Sequence, residues 1–505
     1  MKRILLSIAL LSSVYLSAQT LIADEKYEKK NAPVNFEYLP KSQKFVVYRG
    51  ENISISQSTR TVNALTFDLD GKKSTLFENE NLNNVQFSTT ENSFVAFDTS
   101  TSLWGTNYKF FVNNVSSVVT KETIKDIGFS YFMSYDYNNA LFARLQYSDD
   151  NGSIYGAFND FSIFGFSNQE HKKKIDVEKD DIFLEVIDIK NSSIKRIQIE
   201  KPDLALLMGD SFAKTEYKVN FTCKLNGNEN FDLITKSISK DFQTVTIYKS
   251  TYDFNGKKLK TLPITLKLDN KFFVTSFNGG GPAEISSSPS MQSSRFSNSY
   301  YMLDGLSINN FLEDRKNGDM YVYGIFSDQS QKEIGDNIHP KGYYVFKFDK
   351  EGKKIWESIN YIDGKEFFEK IKLAPKLKVT LVEYNKNLVF SVSVNDFTEF
   401  TNASILDKEN GKEFKRGFLE YNNNMSHQMS KALINNTYDY KGLKKETFSK
   451  ISFAAIILND NILNYLKSIA DGDKRLYFET VFSEQGIFLV ETDNRKYYKV
   501  LLFKE

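Results

Sequence analysis

The chain is poor in the residues that most often carry chemistry. Cys223 is the only cysteine in 505 residues, so no intramolecular disulfide can form and the fold must be held by packing and hydrogen bonds. It lies in the strand-like run Tyr217-Lys-Val-Asn-Phe-Thr-Cys-Lys-Leu and reads as a buried structural thiol, since nothing nearby would lower its pKa. The three histidines, His171, His339 and His427, are widely separated, which excludes a local pair for zinc or for acid–base work. His-Glu-x-x-His and Gly-x-Ser-x-Gly are absent, as are the glycine spacings of phosphate and dinucleotide loops. No excess of one charge exists either: 65 Lys+Arg stand against 64 Asp+Glu, too even for the field of a dedicated nucleic-acid or polybasic membrane binder. No cofactor and no metal site is expected.

One apolar run is present, at the start. Met1-Lys-Arg-Ile-Leu-Leu-Ser-Ile-Ala-Leu-Leu-Ser-Ser-Val-Tyr-Leu-Ser-Ala-Gln-Thr has a basic beginning, an apolar middle and small residues at Ser17 and Ala18. That is the pattern of a secretory signal peptide, residues 1–18, cleaved after Ala18. About 13 apolar residues fall short of the ~20 needed to span a bilayer. No later segment is apolar enough to do so, and no cysteine follows the run to carry a lipoprotein anchor. The mature chain is expected to be exported, whether periplasmic, cell-surface-associated or secreted, with residues 19–32 as a linker.

Beyond it a motif recurs: Phe67-Asp-Leu-Asp-Gly-Lys-Lys-Ser, Tyr252-Asp-Phe-Asn-Gly-Lys-Lys-Leu and Phe348-Asp-Lys-Glu-Gly-Lys-Lys-Ile, with a looser copy at Leu406-Asp-Lys-Glu-Asn-Gly-Lys-Glu-Phe. Each joins two alternating apolar runs through a turn whose glycine supplies the positive φ of a tight hairpin. The lysines suit an exposed outer strand. Around the third copy four strands can be laid out in order, and the same order fits residues 33–80, 82–122, 127–200, 215–268, 300–360, 375–421 and 445–505. With such units the chain resembles secreted β-propeller repeat proteins at the level of fold, with no specific family. The resemblance implies an all-β, most often seven-bladed ring of four-stranded antiparallel blades, with loop insertions and a few short helices. Six or eight blades, or two stacked β-sandwich domains, are the alternatives. Short helices are expected at Pro202–Phe212, Glu366–Leu373 and Asp460–Ile469, the last capped by Asp460.

At about 70 residues per unit, against the ~40 to 50 usual for a blade, the surplus should lie in loops. One insertion, Gly152–Ser167, carries Tyr155, Phe158, Phe161, Phe164 and Phe166 and runs into His171-Lys-Lys-Lys174. Aromatic faces beside a basic tetrad suit a protein, peptide or glycan partner; packing against the blade is the plainer alternative. A second, Phe277–Phe296, is rich in Gly and Ser, with Arg295 its one strong anion-binding group. A third, from Tyr421 to about Lys445, reads as a polar surface excursion. Trp104 sits in a loop-like stretch and is a surface candidate, whereas Trp356 reads as core. These residues support a non-catalytic binding protein. The alternative is a carbohydrate-active hydrolase or lyase that draws acidic residues from several blades into a central channel.

Overall fold

The structure, a computed structural model, describes residues 19–26, 34–39, 42–52, 60–81, 84–88, 93–102, 105–112, 134–136, 141–148, 154–156, 181–188, 191, 193–199, 221–227, 229–239, 243–273, 305–308, 311–314, 317–328, 341–362, 377–394, 398–422, 429–434, 438–444, 453–469, 476–493 and 497–504. The chain divides into two compact units, one of residues 1–81, 293–304 and 377–505, the other of 82–292 and 305–376. Among the described residues the strands form seven antiparallel sheets, six with four or more strands and one with three.

The first unit begins with β1 (Gln19–Lys26) and a four-stranded sheet in sequence order: β2 (Val34–Leu39), β3 (Lys44–Asn52), β4 (Arg60–Phe67) and β5 (Lys73–Asn81). The second unit holds four sheets. One is β6 (Asn84–Ser88), β7 (Ser93–Ser102) and β8 (Gly105–Val112). The next comprises β9 (Ser134–Asp136), β10 (Leu141–Ser148), β11 (Ile154–Gly156), β12 (Asp181–Asp188) and β13 (Ser193–Gln198), ordered β11-β10-β12-β13 with β9 also on β10. Then come β14 (Phe221–Asn226), β15 (Asn230–Ile238), β16 (Thr244–Asp253) and β17 (Lys258–Lys267), in that order. The fourth has β18 (Phe272–Phe273) on β21 of the meander β19 (Gly305–Ile308), β20 (Phe311–Asp314), β21 (Met320–Ser327), β22 (Gly342–Phe348) and β23 (Lys354–Tyr361).

The first unit resumes with a six-stranded meander, β24 (Leu377–Tyr384), β25 (Asn387–Val394), β26 (Thr398–Asp407), β27 (Glu413–Asn422), β28 (Met429–Ile434) and β29 (Tyr438–Lys444). Helices α1 (Phe453–Leu458) and α2 (Asp460–Ile469) follow, and then β30 (Tyr477–Ser483), β31 (Gly486–Thr492) and β32 (Tyr497–Phe503). This last sheet is completed by the other end of the chain, since β1 lies along β32 with Gln19 opposite Phe503 and Lys26 opposite Tyr497.

Both faces of that sheet are covered. Successive strand residues point to opposite sides, so Ile22, Phe488, Val490, Val500 and Leu502 meet Phe36, Tyr38, Phe45, Val47 and Phe67 of the first sheet. Leu489, Leu501 and Phe503 face the other way, onto Ala455, Ile456, Ile462 and Leu466 of the helices and onto Val389 and Ile405 of the β24–β29 sheet. In the second unit Ile234, Val245, Ile247 and Ile264 pack likewise on Phe311, Met320, Val322 and Phe346. A sheet buried on two faces by neighbouring sheets is the packing unit of a propeller.

Several expectations need correction. The supposed linker 19–32 carries β1 over Gln19–Lys26, because Ile22 and Ala23 supply apolar side chains that the last sheet buries. The supposed polar excursion after Tyr421 contains the β28–β29 hairpin, which extends its sheet. Helix α2 spans the expected Asp460–Ile469, but its cap is Asn459, whose Oδ1 accepts from the backbone N–H of Asn461 and whose carbonyl accepts from Ile462 N–H. Helix α1, unanticipated from Phe-Ala-Ala-Ile-Ile-Leu, is apolar throughout and buries Ala454, Ala455, Ile456 and Ile457 in succession. Pro202–Phe212 and Glu366–Leu373 lie outside the described residues.

The repeated motif forms one backbone device three times. The amide of the leading aspartate donates to the lysine carbonyl four residues on, at 3.2 Å for Asp68, 3.0 Å for Asp253 and 3.0 Å for Asp349. Each aspartate carbonyl accepts from the turn glycine, Gly71, Gly256 or Gly352, all at positive φ (80°, 83° and 82°). Each Oδ1 accepts two further amides, two and four residues on. This is a three-residue hairpin loop with a left-handed glycine bulge. The fourth copy, from Asp407 to Lys412, is one residue longer and closes on Gly411 in the same way.

The turn glycines also sit against the edge strand of another sheet. Gly71 abuts the carbonyl of Ile22 in β1, Gly256 that of Gln198 in β13, and Gly352 the side chain of Leu262 and the carbonyl of Pro263 in β17. Lys73 adds an ion pair to Glu25 of β1 at 2.8 Å. The first sheet thus meets the sheet completed by β1 in the manner that β14–β17 meets β10–β13 and β19–β23 meets β14–β17.

Candidate functional site

Of the site residues expected from sequence, the structure describes the backbone of one. Tyr155 is the middle residue of β11, opposite Tyr147 of β10. Trp104, Phe158, Phe161, Phe164, Phe166 and Arg295 lie outside the described residues, as do His171, His339 and His427. The frame around the aromatic insertion is nevertheless defined. Ser148 of β10 has Ile154 of β11 on one side and Asp181 of β12 on the other, so residues 157–180 leave and rejoin the same sheet. Cys223 is in β14, opposite Leu233, and Trp356 is half-buried beside the Tyr321 ring, centroids 6.1 Å apart.

Two clusters of polar and charged side chains among the described residues were not anticipated from the sequence. In the second unit, Lys224 (β14), Asp232 (β15) and Thr251 (β16) are cross-strand neighbours. Thr251 Oγ1 donates to Asp232 Oδ1 at 2.6 Å, and Lys249 Nζ is 3.4 Å from Asp232 Oδ2. Glu313 of β20 reaches in from the neighbouring sheet. Its Oε1 accepts from Lys224 Nζ at 2.6 Å and from Lys249 Nζ at 3.1 Å. The glutamate side chain is 4% exposed and the lysines 17% and 19%, so all three are largely withdrawn from water. Burial works against the charge on Lys249, but Glu313 and Asp232 outweigh it and raise its pKa above the ordinary value. The cluster closes the polar end of the core between these two sheets.

In the first unit Glu491 of β31 is the centre. Its Oε2 accepts from Tyr465 Oη of α2 at 2.5 Å and its Oε1 from Tyr497 Oη of β32 at 2.7 Å. Lys499 Nζ donates to Tyr465 Oη at 3.2 Å and lies over the same ring. Burial first, then the bond to Glu491, pushes both phenols far above the usual tyrosine range. Elsewhere in this unit burial, with Glu479 of β30 facing it, holds the carboxyl of Glu37 on β2 well above the usual range.

The one sequence signal for these residues is a charge at an inward position of a strand. Asp232 shares the parity of Ile234 in β15, and Lys249 that of Ile247 and Val245 in β16. Among the described residues no group of three or more His, Cys, Asp and Glu side chains could hold a metal ion. No described helix is long and apolar enough to cross a membrane.

No protein-family profile matches the chain, and no curated protein matches it by sequence. Among solved structures it is similar to the polysaccharide lyase Uly1, at 8% identity over 96% of this chain and 100% of that one, TM-score 0.36. A eukaryotic initiation factor gives 10% identity over 82% and 89%, TM-score 0.33. The β-propeller domain of the Trilobed protease from Pyrococcus furiosus gives 7% over 82% and 98%, TM-score 0.32. These likenesses reach the β-propeller fold and stop there.

Proposed function

We propose that the chain is an exported, non-catalytic β-propeller that binds a protein, peptide or glycan partner through the aromatic insertion of its β9–β13 sheet. In this reading the seven sheets are blades of one ring, with β1 completing the last blade. The repeated contact of a turn glycine with a neighbouring edge strand supports that order, and Gly71 against Ile22 is its instance at the joined chain ends.

The observation that carries the binding reading is the anchoring of residues 157–180 at both ends to β10 and its neighbours. Such an insertion can present Phe158, Phe161, Phe164 and Phe166 with Tyr155 at its base, at little cost to the sheet beneath. Trp104 and Arg295 are further candidates for the same role. The test is affinity capture from envelope and culture-fluid extracts by residues 19–505, beside a variant with the four phenylalanines changed to serine. Because β11 spans Ile154–Gly156, the changes begin beyond it. A partner captured by the parent and lost by an equally stable variant supports the reading; equal capture refutes it. The alternative is a carbohydrate-active hydrolase or lyase that draws acidic residues from several sheets to one site. It predicts cleavage of a polysaccharide by residues 19–505 in a hydrolase and lyase screen.

A further inference from the structure

The four hairpins built on the repeated turn differ in charge. The β16–β17 hairpin, residues 244–267, sets Lys249, Lys257, Lys258, Lys260 and Lys267 against Asp253 alone, +4. The β22–β23 hairpin, residues 342–361, sets four lysines against Asp349, Glu351 and Glu357, +1. Residues 60–81 of β4–β5 hold three basic and four acidic side chains, and residues 398–422 of β26–β27 four and five, −1 each. The turn closes on its aspartate and glycine in every copy, so it does not require the excess that the second copy carries.

Lys249 belongs to the cluster around Glu313. The other four lysines lie along β17, the edge strand of its sheet, where Lys257, Lys260 and Lys267 are exposed and Lys258 half-buried. Lys195 of β13 is exposed beside the turn, its Nζ 6.0 Å from the centre of the Phe254 ring. Acids stand only at the margins. Asp253 gives its Oδ1 to the turn amides, Glu229 is in the β14–β15 turn, and Asp269 follows the strand, 3.7 Å from Lys267. Residues 254–268 contain no acid. One face of the hairpin is a ladder of hydroxyls: Thr246 and Thr265 are bonded at 3.2 Å and Ser250 and Thr261 at 3.0 Å, with Tyr248 opposite Pro263 between them. Thr261, Pro263 and Thr265 are exposed, and two hydroxyls bonded to each other keep a donor and several lone pairs for a further partner.

We propose that this edge binds an acidic polysaccharide laid along β17, with its carboxylate or sulfate groups on Lys257, Lys260 and Lys267 and its hydroxyls on the Thr and Ser rungs. Charge complementarity calls for an anion, and the hydroxyl ladder between the lysines for a hydroxyl-rich one. A lipid surface fits less well, because Leu259, 54% exposed, is the one large apolar side chain that stands out from the hairpin. An added protein strand is opposed by the lysines and by Pro263, which interrupts β17. The near-neutral charge of the whole chain does not bear on this, since the attraction is screened beyond the hairpin itself. The surface is separate from the aromatic insertion, so the proposal stands whether or not that insertion captures a partner.

The test is native affinity electrophoresis of residues 19–505 in gels holding alginate, a polyuronate, or dextran sulfate, with dextran as the neutral control. Expected are retardation by at least one polyanion and none by dextran, weakened at least about fivefold when salt rises from 50 to 300 mM. Lys257→Ser/Lys260→Ser/Lys267→Ser should lose at least about fivefold in affinity, whereas Lys350→Ser/Lys353→Ser/Lys354→Ser, which removes the same charge from the β22–β23 hairpin, should lose less than about twofold. Retardation by alginate or by dextran sulfate identifies the anionic group. Failure of both polyanions, equal retardation by dextran, equal losses in the two variants, or tighter binding to phosphatidylglycerol vesicles than to either polyanion overturns the proposal. Should the first variant lower Tm, Lys257→Gln/Lys260→Gln decides instead: undiminished retardation overturns the proposal and a clear loss upholds it.

Discussion

Glu313 in the second unit and Glu491 in the first are both buried carboxylates at the polar margin of an inter-sheet core, but one is answered by two ammonium groups and the other by two phenols. The difference concerns what is left when the carboxylate goes. Lys224 and Lys249 would remain as charges partly withdrawn from water, whereas Tyr465 and Tyr497 would remain as neutral hydroxyls. Removing one partner of a buried ion pair costs about 3–5 kcal/mol, while stranding a neutral donor costs about 1–3 kcal/mol. Glu313→Ala should therefore lower the unfolding free energy by roughly 3–5 kcal/mol and Glu491→Ala by roughly 1–3, measured by denaturant titration. Equal losses would break the contrast.

The turns sharpen the same distinction between groups with room to relax and groups without it. Gly256 and Gly227 both have positive φ, but a methyl group on Gly227 meets nothing, whereas on Gly256 it meets the carbonyl of Gln198. Gly227→Ala should cost about 1–2 kcal/mol, the left-handed strain alone. Gly256→Ala should exceed it by about 1 kcal/mol or more, because the turn must also withdraw from β13. Thermal unfolding of the two variants side by side gives the comparison, and identical Tm values would show that the turn does not bear on the neighbouring strand.

Alkali separates the two clusters by another route. Tyr465 and Tyr497 keep their protons in the folded protein to higher pH than in the unfolded chain. Their contribution is complete below about pH 10 and falls as pH rises beyond it, by at most ~1.4 kcal/mol per pH unit for each group. Lys249, also raised, weakens in the same direction. Tyr465→Phe/Tyr497→Phe should flatten the fall of Tm between pH 9.5 and 11, leaving only the slope of Lys249 and other groups. An unchanged slope would remove the phenols from the account.

The hairpins could be read from sequence because their cause is local: an aspartate that gathers its own turn amides and a glycine at positive φ are both specified within five residues. The same is true of α2, although the cap fell to Asn459 rather than Asp460 because the chain leaving α1 places Asn459 at the junction. What could not be read depends on partners distant in sequence. Strand β1 shows no clean alternation, since the adjacent Ile22 and Ala23 are both buried, and only pairing with β32 gives it a place. Glu313 and Lys224 are unremarkable charges in strands until two sheets are brought together. The aromatic insertion was legible as composition, and the structure adds the strands from which it springs.

The smallest effect concerns acid, where Asp253 and Glu37 pull in opposite directions. The amide of Lys257, followed by that of Asn255, lowers the pKa of Asp253. Its contribution is present above the unfolded value near 4 and is lost as pH falls through the lower folded value. Glu37 is raised by burial and by Glu479, so it favours the fold below its unfolded value, and that gain is lost as pH rises through the folded one. Between pH 3 and 7, Asp253→Asn should slightly lessen the acid loss of Tm, since asparagine keeps an acceptor for the turn amides without titrating. Glu37→Gln should steepen that loss by removing the opposing term. If both variants shift the acid limb in the same direction, the turn carboxylate is not held in its charged form by the backbone, and the hairpin rests on its glycine alone.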